Sequence, residues 1–187
     1  MEVLLSADSK RRLSDALGQA QRIGMLGQGS LDVLVERSLG FVKSIPEGTR
    51  DLIDLGSGGG DPGLVIAESC PKLSVTLVDR RAKRTDLLSR LVGRLGLADR
   101  VEVIEADVAL LPRLRPGQLW DLVTCRGFGS PAYTAAHASH LLRLGGCMLV
   151  SEPPESNGDR WRIPEVESLG LFIEAVENGV ARLVKEN

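Results

Sequence analysis

The sequence predicts an α/β fold: a mostly parallel seven-stranded sheet flanked by helices, closed by a C-terminal antiparallel hairpin and preceded by N-terminal helices. Three observations predict it. From Asp51 onward, short and almost continuously apolar runs alternate with helix-like stretches. A cluster of glycines sits where the first apolar run gives way to the first helix. Near the end of the chain an Asn-Gly pair separates two strand-like runs. Alternation of the first kind marks β-α-β units wound into a parallel sheet, and strands buried on both faces lose the polar half of the usual period-two pattern.

Leu13, Ala16, Leu17 and Ala20 recur at helical spacing, and Leu31, Leu34, Val35, Leu39 and Val42 make a second apolar stripe. Gly24 to Ser30 separates the two helices, and Pro46-Glu47-Gly48 ends the second. Residues 1–45 thus read as an N-terminal helical arm and residues 46–187 as the α/β domain. The expected strands are Leu52–Leu55, Val75–Val78, Val101–Ile104, Leu122–Thr124 and Met148–Val150, with helices over Leu64–Ser69, Lys83–Leu95 and Ala132–Leu142 between them. Leu171–Val176 and Val180–Val184 flank Glu177-Asn178-Gly179. Asn-Gly suits a two-residue hairpin turn because both positions need positive φ. Five parallel strands closed by such a hairpin are the Rossmann-like architecture of class I methyltransferases, whereas nicotinamide-binding domains usually lack that ending.

Composition narrows the function. With 187 residues, 43% hydrophobic and 26% charged, the chain reads as one globular domain with a core of its own. Its 23 basic and 25 acidic side chains leave a formal charge of −2, so contact with nucleic acid would be local rather than driven by bulk charge. Cys70, Cys125 and Cys147 form no C-x-x-C pair, which argues for reduced thiols in a cytoplasmic setting and against structural zinc or any other metal site. The segment Met1–Asp8 is too short in apolar residues for a signal peptide, and no run is long enough to span a membrane.

The glycine-rich string Asp54-Leu55-Gly56-Ser57-Gly58-Gly59-Gly60-Asp61-Pro62-Gly63 lies at the strand-to-helix turn, where glycines let backbone approach a nucleotide-sized ligand. Gly58, Gly60 and Gly63 also fit the dinucleotide spacing, with Asp79 placed 21 residues after Gly58. Asp54 separates the two ligands: a carboxylate at the strand end repels a pyrophosphate but attracts the sulfonium and ammonium of S-adenosylmethionine. Asp79, closing the second strand, is placed to accept from the ribose hydroxyls, with a helix N-cap as its alternative. Asp107, past the third strand, is placed for the adenine amino group, with an ordinary turn aspartate as the alternative.

This loop, together with Leu77-Val78-Asp79-Arg80-Arg81-Ala82-Lys83-Arg84, resembles the glucose-inhibited division protein B family, the small-subunit ribosomal RNA (guanine-N7) methyltransferases. That family carries a D-x-G-[ST]-G-x-G-x-P-G loop and an L-x-D-S-x-x-K-R segment. Thr124-Cys125-Arg126-Gly127 is similar to its S/T-x-R-A string, and Arg182-Leu183-Val184 is also similar. The resemblance runs from about Leu31 to the end. It implies an S-adenosylmethionine-dependent enzyme acting on 16S rRNA or the small ribosomal subunit. It assigns donor contacts to Asp54, Gly56, Ser57, Gly58, Gly60, Pro62, Gly63, Asp79, Arg80, Asp107 and Arg126, and substrate contacts to Lys83 and Arg84. Three family features are missing: an N-L-T string near Ile23-Gly24-Met25-Leu26, an R-A-E replaced by Asp107-Val108-Ala109, and a Lys-Gly replaced by Ser151-Glu152-Pro153-Pro154. These departures leave two alternatives: a methyltransferase with a small-molecule or other nucleic-acid acceptor, or a donor-binding module without catalysis.

The residues are consistent with attack by a ring nitrogen. No [DNS]-P-P-[YFW] motif of exocyclic-amine chemistry follows the fourth strand, and a ring nitrogen lone pair needs no base. Arg126, at the end of that strand, is the candidate catalytic residue, able to hold a phosphate or guanine edge bidentately; a salt bridge to Asp54 or Glu152 is its structural alternative. Cys125 lacks the Pro-Cys context of a nucleophile. His137 and His140 read as structural or solvated. Arg80, Arg81, Lys83, Arg84, Arg90 and Arg94 make either a phosphate track or a solvated helix face.

Overall fold

The computed structural model describes residues 5–186. Half of the opening segment read as lacking a signal peptide, Met1 to Leu4, lies outside the described residues, as does Asn187. The chain runs α1 (Ala7–Arg22), α2 (Leu31–Ser44), β1 (Asp51–Leu55), α3 (Gly63–Ser69), β2 (Ser74–Asp79), α4 (Ala82–Leu95), β3 (Val101–Glu105), α5 (Leu111–Leu114), β4 (Trp120–Cys125), α6 (Pro131–Ser139), β5 (Leu142–Ser151), α7 (Pro164–Glu167), β6 (Leu171–Glu177) and β7 (Val180–Lys185). The seven strands lie in the order β3-β2-β1-β4-β5-β7-β6. The first five are mutually parallel, and β7 inserts antiparallel between β5 and β6. Chain direction across the sheet reverses between β1 and β4, the switch point outside whose carboxyl ends α/β sheets place their ligands.

The five expected parallel strands all form. The hairpin turn has Asn178 at φ 56° and Gly179 at φ 72°, the conformation its Asn-Gly pair calls for. The elements differ from expectation around β5. The helix read over Ala132–Leu142 stops at Ser139, and β5 starts at Leu142, six residues before the run at Met148. The reason is an irregularity: Trp120 pairs with Leu142 but Leu122 pairs with Cys147, so several residues of β5 face a single step of β4. Gly145 at φ 75° allows the excursion, and a side chain at Gly146 would press on the Asp121 carbonyl at 2.9 Å.

Apolar side chains pack on both faces of the sheet. On one face Leu13, Ala16 and Leu17 of α1 and Val35, Leu39, Phe41 and Val42 of α2 join Leu64, Leu87, Leu88 and Leu91 against Leu52, Val75 and Leu77. On the other, α6, α7 and Trp161 cover Ile53, Val123, Met148 and Leu183. The N-terminal helices and the sheet share one cluster. The connection between α1 and α2 reaches the glycine turn itself, because a Cβ on Gly59 would meet Leu26 at 2.5 Å.

Candidate functional site

The glycine turn runs from the end of β1 to the start of α3, and its conformation is held by the Ser57 hydroxyl and the Asp79 carboxylate. Gly56, Gly58 and Gly60 all have positive φ, at 71°, 54° and 102°. The Ser57 hydroxyl donates to the Asp54 carbonyl at 2.9 Å and accepts from Val78 N–H at 3.1 Å, fastening the turn to both β1 and β2. Asp79 accepts from Gly58 N–H at 3.1 Å through one oxygen and from Arg81 N–H at 3.0 Å through the other. Arg84 adds an ion pair at 3.1 Å. Asp79 therefore ties the turn to the start of α4 and does not cap the helix in the manner of its alternative reading, since Arg81 occupies the N-cap.

Asp54 lies beneath the turn and does not open onto it, being 1% exposed. Thr124 on β4 donates to it at 2.7 Å, while its second oxygen has no hydrogen-bond partner and faces Gly63. Burial pushes its carboxyl up to about 6, against the lowering effects of Thr124, Ser57 and the Gly63 N–H. Gly60 and Gly63 are packing glycines: side chains there would run into Leu64 and into Leu77 and Asp54. With Pro62 they seat the turn on the sheet, leaving Gly56, Ser57, Gly58, Gly59 and Asp61 to line the space above.

Three cavities meet over this end of the sheet, and Gly127 lines all of them. The first, about 420 Å³, lies between Gly56, Asp79, Arg80, Arg84 and Asp107 on one side and Phe128 and Tyr133 on the other. The second, about 650 Å³, runs along the glycine turn under the Met25–Ser30 connection. The third, about 610 Å³, opens beyond β4 and β5 and is bounded by Phe128, Glu152, Pro153, Arg160 and Trp161. Asp107 lines the first cavity, and one of its oxygens accepts from Ala109 N–H at 3.0 Å, the turn contact that was its alternative reading.

Arg126 projects from the end of β4 and pairs with Asp61 of the glycine turn, not with Asp54 or Glu152. Asp61 also accepts from the Ser38 hydroxyl of α2, so helix, turn and strand meet at one buried carboxylate. Burial, and then the charge of Arg37, push the Arg126 guanidinium below the ordinary arginine range. Glu152 is instead taken up by Trp161 N–H at 2.7 Å and by Ser156 and Arg160.

The basic run divides. Arg80, Arg81 and Arg84 line the smallest cavity, Arg94 turns away to Gln19 on α1 at 2.8 Å, and Lys83 is exposed and lines none of the three. Cys125 is buried, and burial followed by the Asp54 charge raises its thiol well above the usual value, which leaves no thiolate for nucleophilic attack. His137 packs edge-on against Tyr133, ring centroids 4.5 Å apart, and against Phe128 at 6.1 Å, while His140 is exposed at the end of α6. No group of three His, Cys, Asp or Glu among the described residues is placed to hold a metal.

Sequence reasoning missed Arg37, Ser38, Asp61, Phe128, Tyr133 and Trp161. Tyr133 and His137, four apart on an expected helix, carried a local signal. Asp61 was in view as part of the glycine string, but its partners lie 23 and 65 residues away and leave no local trace.

Comparison with known proteins agrees with this geometry. A family model described as GidB: rRNA small subunit methyltransferase G matches residues 22–156. A ribosomal RNA small subunit methyltransferase G of Coxiella burnetii is 36% identical over 99 residues, covering 53% of this chain and 47% of the relative. That of Neisseria meningitidis is 34% identical over 119 residues, covering 64% and 55%. The chain spans about half the length of the curated relatives it matches. Among solved structures, an O-methyltransferase family protein from Burkholderia thailandensis superposes with a TM-score of 0.63 at 18% identity, covering 83% of this chain and 58% of that one. Cofactor-bound Rv0187 from MTB superposes with a TM-score of 0.63 at 20% identity, covering 95% and 91%. At these identities the structural likeness concerns the fold. No helix among the described residues is long and apolar enough to cross a membrane.

Proposed function

From the premise that the chain belongs to the rRNA small subunit methyltransferase G family, we propose that it transfers a methyl group from S-adenosylmethionine to guanine N7 in 16S rRNA of the small ribosomal subunit. The observation that carries this reading is the confluence of three cavities at Gly127, over the switch point of the sheet. A donor and an acceptor can enter from opposite sides and meet there.

The residues fit the donor. The cavity beside Asp79 suits an adenosine: Asp79 and Asp107 offer carboxylate oxygens, and Phe128 and Tyr133 offer an apolar wall. The cleft along Ser57, Gly58 and Asp61 suits the amino-acid end, with Asp54 supplying negative charge from below. When bound, the donor supplies an electrophilic methyl carbon. The chain's own part is positioning: the glycine turn, Asp79 and Arg126 fix the approach of two partners. Alignment of that kind is worth about 7–11 kcal/mol of barrier without an acid or base. A guanine N7 lone pair needs no deprotonation, which agrees with a cleft lined, among the described residues, by no imidazole and no thiolate.

The third cavity is the acceptor side in this reading. Arg126 stands at its threshold, and Arg160 over the Trp161 ring, 5.2 Å from its centroid, forms its far wall. A second reading, donor binding without transfer, draws on Glu152: the position after β5 carries a buried acid tied to Trp161 where the family has Lys-Gly.

Transfer of tritiated methyl onto assembled small subunits, naked 16S rRNA and a metabolite extract separates these readings. Label in the guanine N7 of RNA supports the proposal, label in metabolites moves the acceptor, and donor binding with no label anywhere supports the second reading. Arg126→Ala is expected to lower transfer about 100-fold or more while changing donor affinity less than about fivefold. Equal losses in both would place Arg126 in the donor pocket.

A further inference from the structure

Arg37 and Arg126 are the charged side chains shared by the 610 Å³ and 650 Å³ cavities, with only Gly127 besides them. We infer that these two guanidiniums form an anion subsite at the threshold between the cavities, for a carboxylate or phosphate group. Arg84 is matched by Asp79, and Arg160 by Glu152. Arg126 is matched by Asp61, whose other oxygen is occupied by Ser38. Arg37, on the exposed side of α2, has no ion pair among the described residues. It stands close enough to Arg126 that its charge disfavours the charged form of that half-buried group. Two guanidiniums thus line one cavity threshold, only one of them paired with a carboxylate, and an oxyanion placed there would relieve the repulsion. Guanidinium pairs suit such ligands because each presents two parallel N–H donors to two oxygens.

The sources of the anion rest on the proposed function. The α-carboxylate of the methyl donor would arrive along the glycine turn, and a phosphodiester of the RNA acceptor would arrive through the other cavity. Both use the same chemistry, and the subsite itself is independent of whether transfer occurs.

The test uses the full chain and its Arg37→Ala and Arg37→Lys variants. Arg37 is exposed, so both variants are expected to melt like the wild type without ligand. Inorganic phosphate should raise the thermal midpoint of the wild type, leave Arg37→Ala unmoved and shift Arg37→Lys by less. Calorimetry then identifies the source, with S-adenosylhomocysteine against 5′-methylthioadenosine, which lacks the amino-acid end. A loss of about tenfold for the first compound alone in Arg37→Ala assigns the donor carboxylate. If neither compound is affected, a 16S rRNA fragment should bind Arg37→Ala with a salt slope reduced by about 1, which assigns a phosphate. If phosphate stabilisation, S-adenosylhomocysteine affinity and salt slope all equal the wild type, the subsite is overturned. Failure of the wild type to bind S-adenosylhomocysteine would count against the proposed function, while the phosphate measurement would still decide the subsite.

Discussion

Asp54 is the residue where folding and chemistry pull in opposite directions. Its carboxyl sits near 6 because burial removes water from the ionised form and the Thr124 hydroxyl satisfies only one of its two oxygens. An acid whose folded value exceeds its unfolded one holds extra protons in the native state between the two values. Stability therefore falls as pH rises from about 4 to about 6, and above that the full penalty, of order 3 kcal/mol, is present. Asp54→Asn removes the charge but turns an amide toward the Gly63 N–H, at a cost of about 1 kcal/mol. The variant should be more stable than the wild type by about 1–2 kcal/mol at pH 8 and no more stable at pH 4, measured by urea unfolding at both. In the proposed function a cation bound above the turn would lower the Asp54 pKa, and Asp54→Asn should then weaken S-adenosylhomocysteine far less than the sulfonium donor. Equal weakening of both would remove electrostatics from the role of Asp54 and return it to packing.

At the scale of elements, glycine does two opposite jobs, and a matched pair of substitutions separates them. Gly40 lies within α2 where the hairpin turn crosses it, and a Cβ there would run into the Asn178 carbonyl, backbone against helix with no flexible side chain to move. Gly93, within α4, has nothing within 4 Å of such a Cβ. Alanine at Gly93 should gain about 0.5–1 kcal/mol from helix propensity, while alanine at Gly40 should lose about 1–3 kcal/mol by forcing α2 off the hairpin. Denaturant midpoints of the two variants check the pair, and a gain at both would mean that the hairpin does not dock on α2. The same contrast explains what was legible in the sequence. The alternation of strands and helices, the Asn-Gly turn and the glycine turn after β1 are written in neighbouring residues, and all five expected parallel strands form. The early start of β5 was hidden because the irregularity at Gly145-Gly146 breaks its apolar run, and Arg143 and Leu144 do not read as strand. At the site, Asp54, Asp79 and the glycines were legible as a motif. The Ser38–Asp61–Arg126 junction was not, since it joins α2, the turn and β4, and neither charge nor spacing along the chain marks which acid an arginine will meet.

For the whole molecule, the change of sequence pattern at residues 45 and 46 does not divide the packing. Leu13, Leu17, Val35, Leu39, Phe41 and Val42 from the first 45 residues are buried in the same cluster as Leu52, Leu64 and Leu88. Burial of six such side chains is worth of order 10 kcal/mol, comparable to the entire stability of a domain of this size. Removing them would also uncover α3 and the near face of the sheet. The full chain should accordingly unfold in a single transition, with calorimetric and van't Hoff enthalpies equal. Residues 46–187 expressed alone should show no cooperative transition, and should bind an apolar dye through the uncovered face. A sharp melt of the shorter chain would instead establish the arm as an appendage. The consequence reaches the site, because Arg37 and Ser38 sit on the helix whose inner face closes this core. Loosening α1 and α2 would move the anion subsite and release Asp61, so the shape of the cleft depends on the same contacts that hold the molecule together.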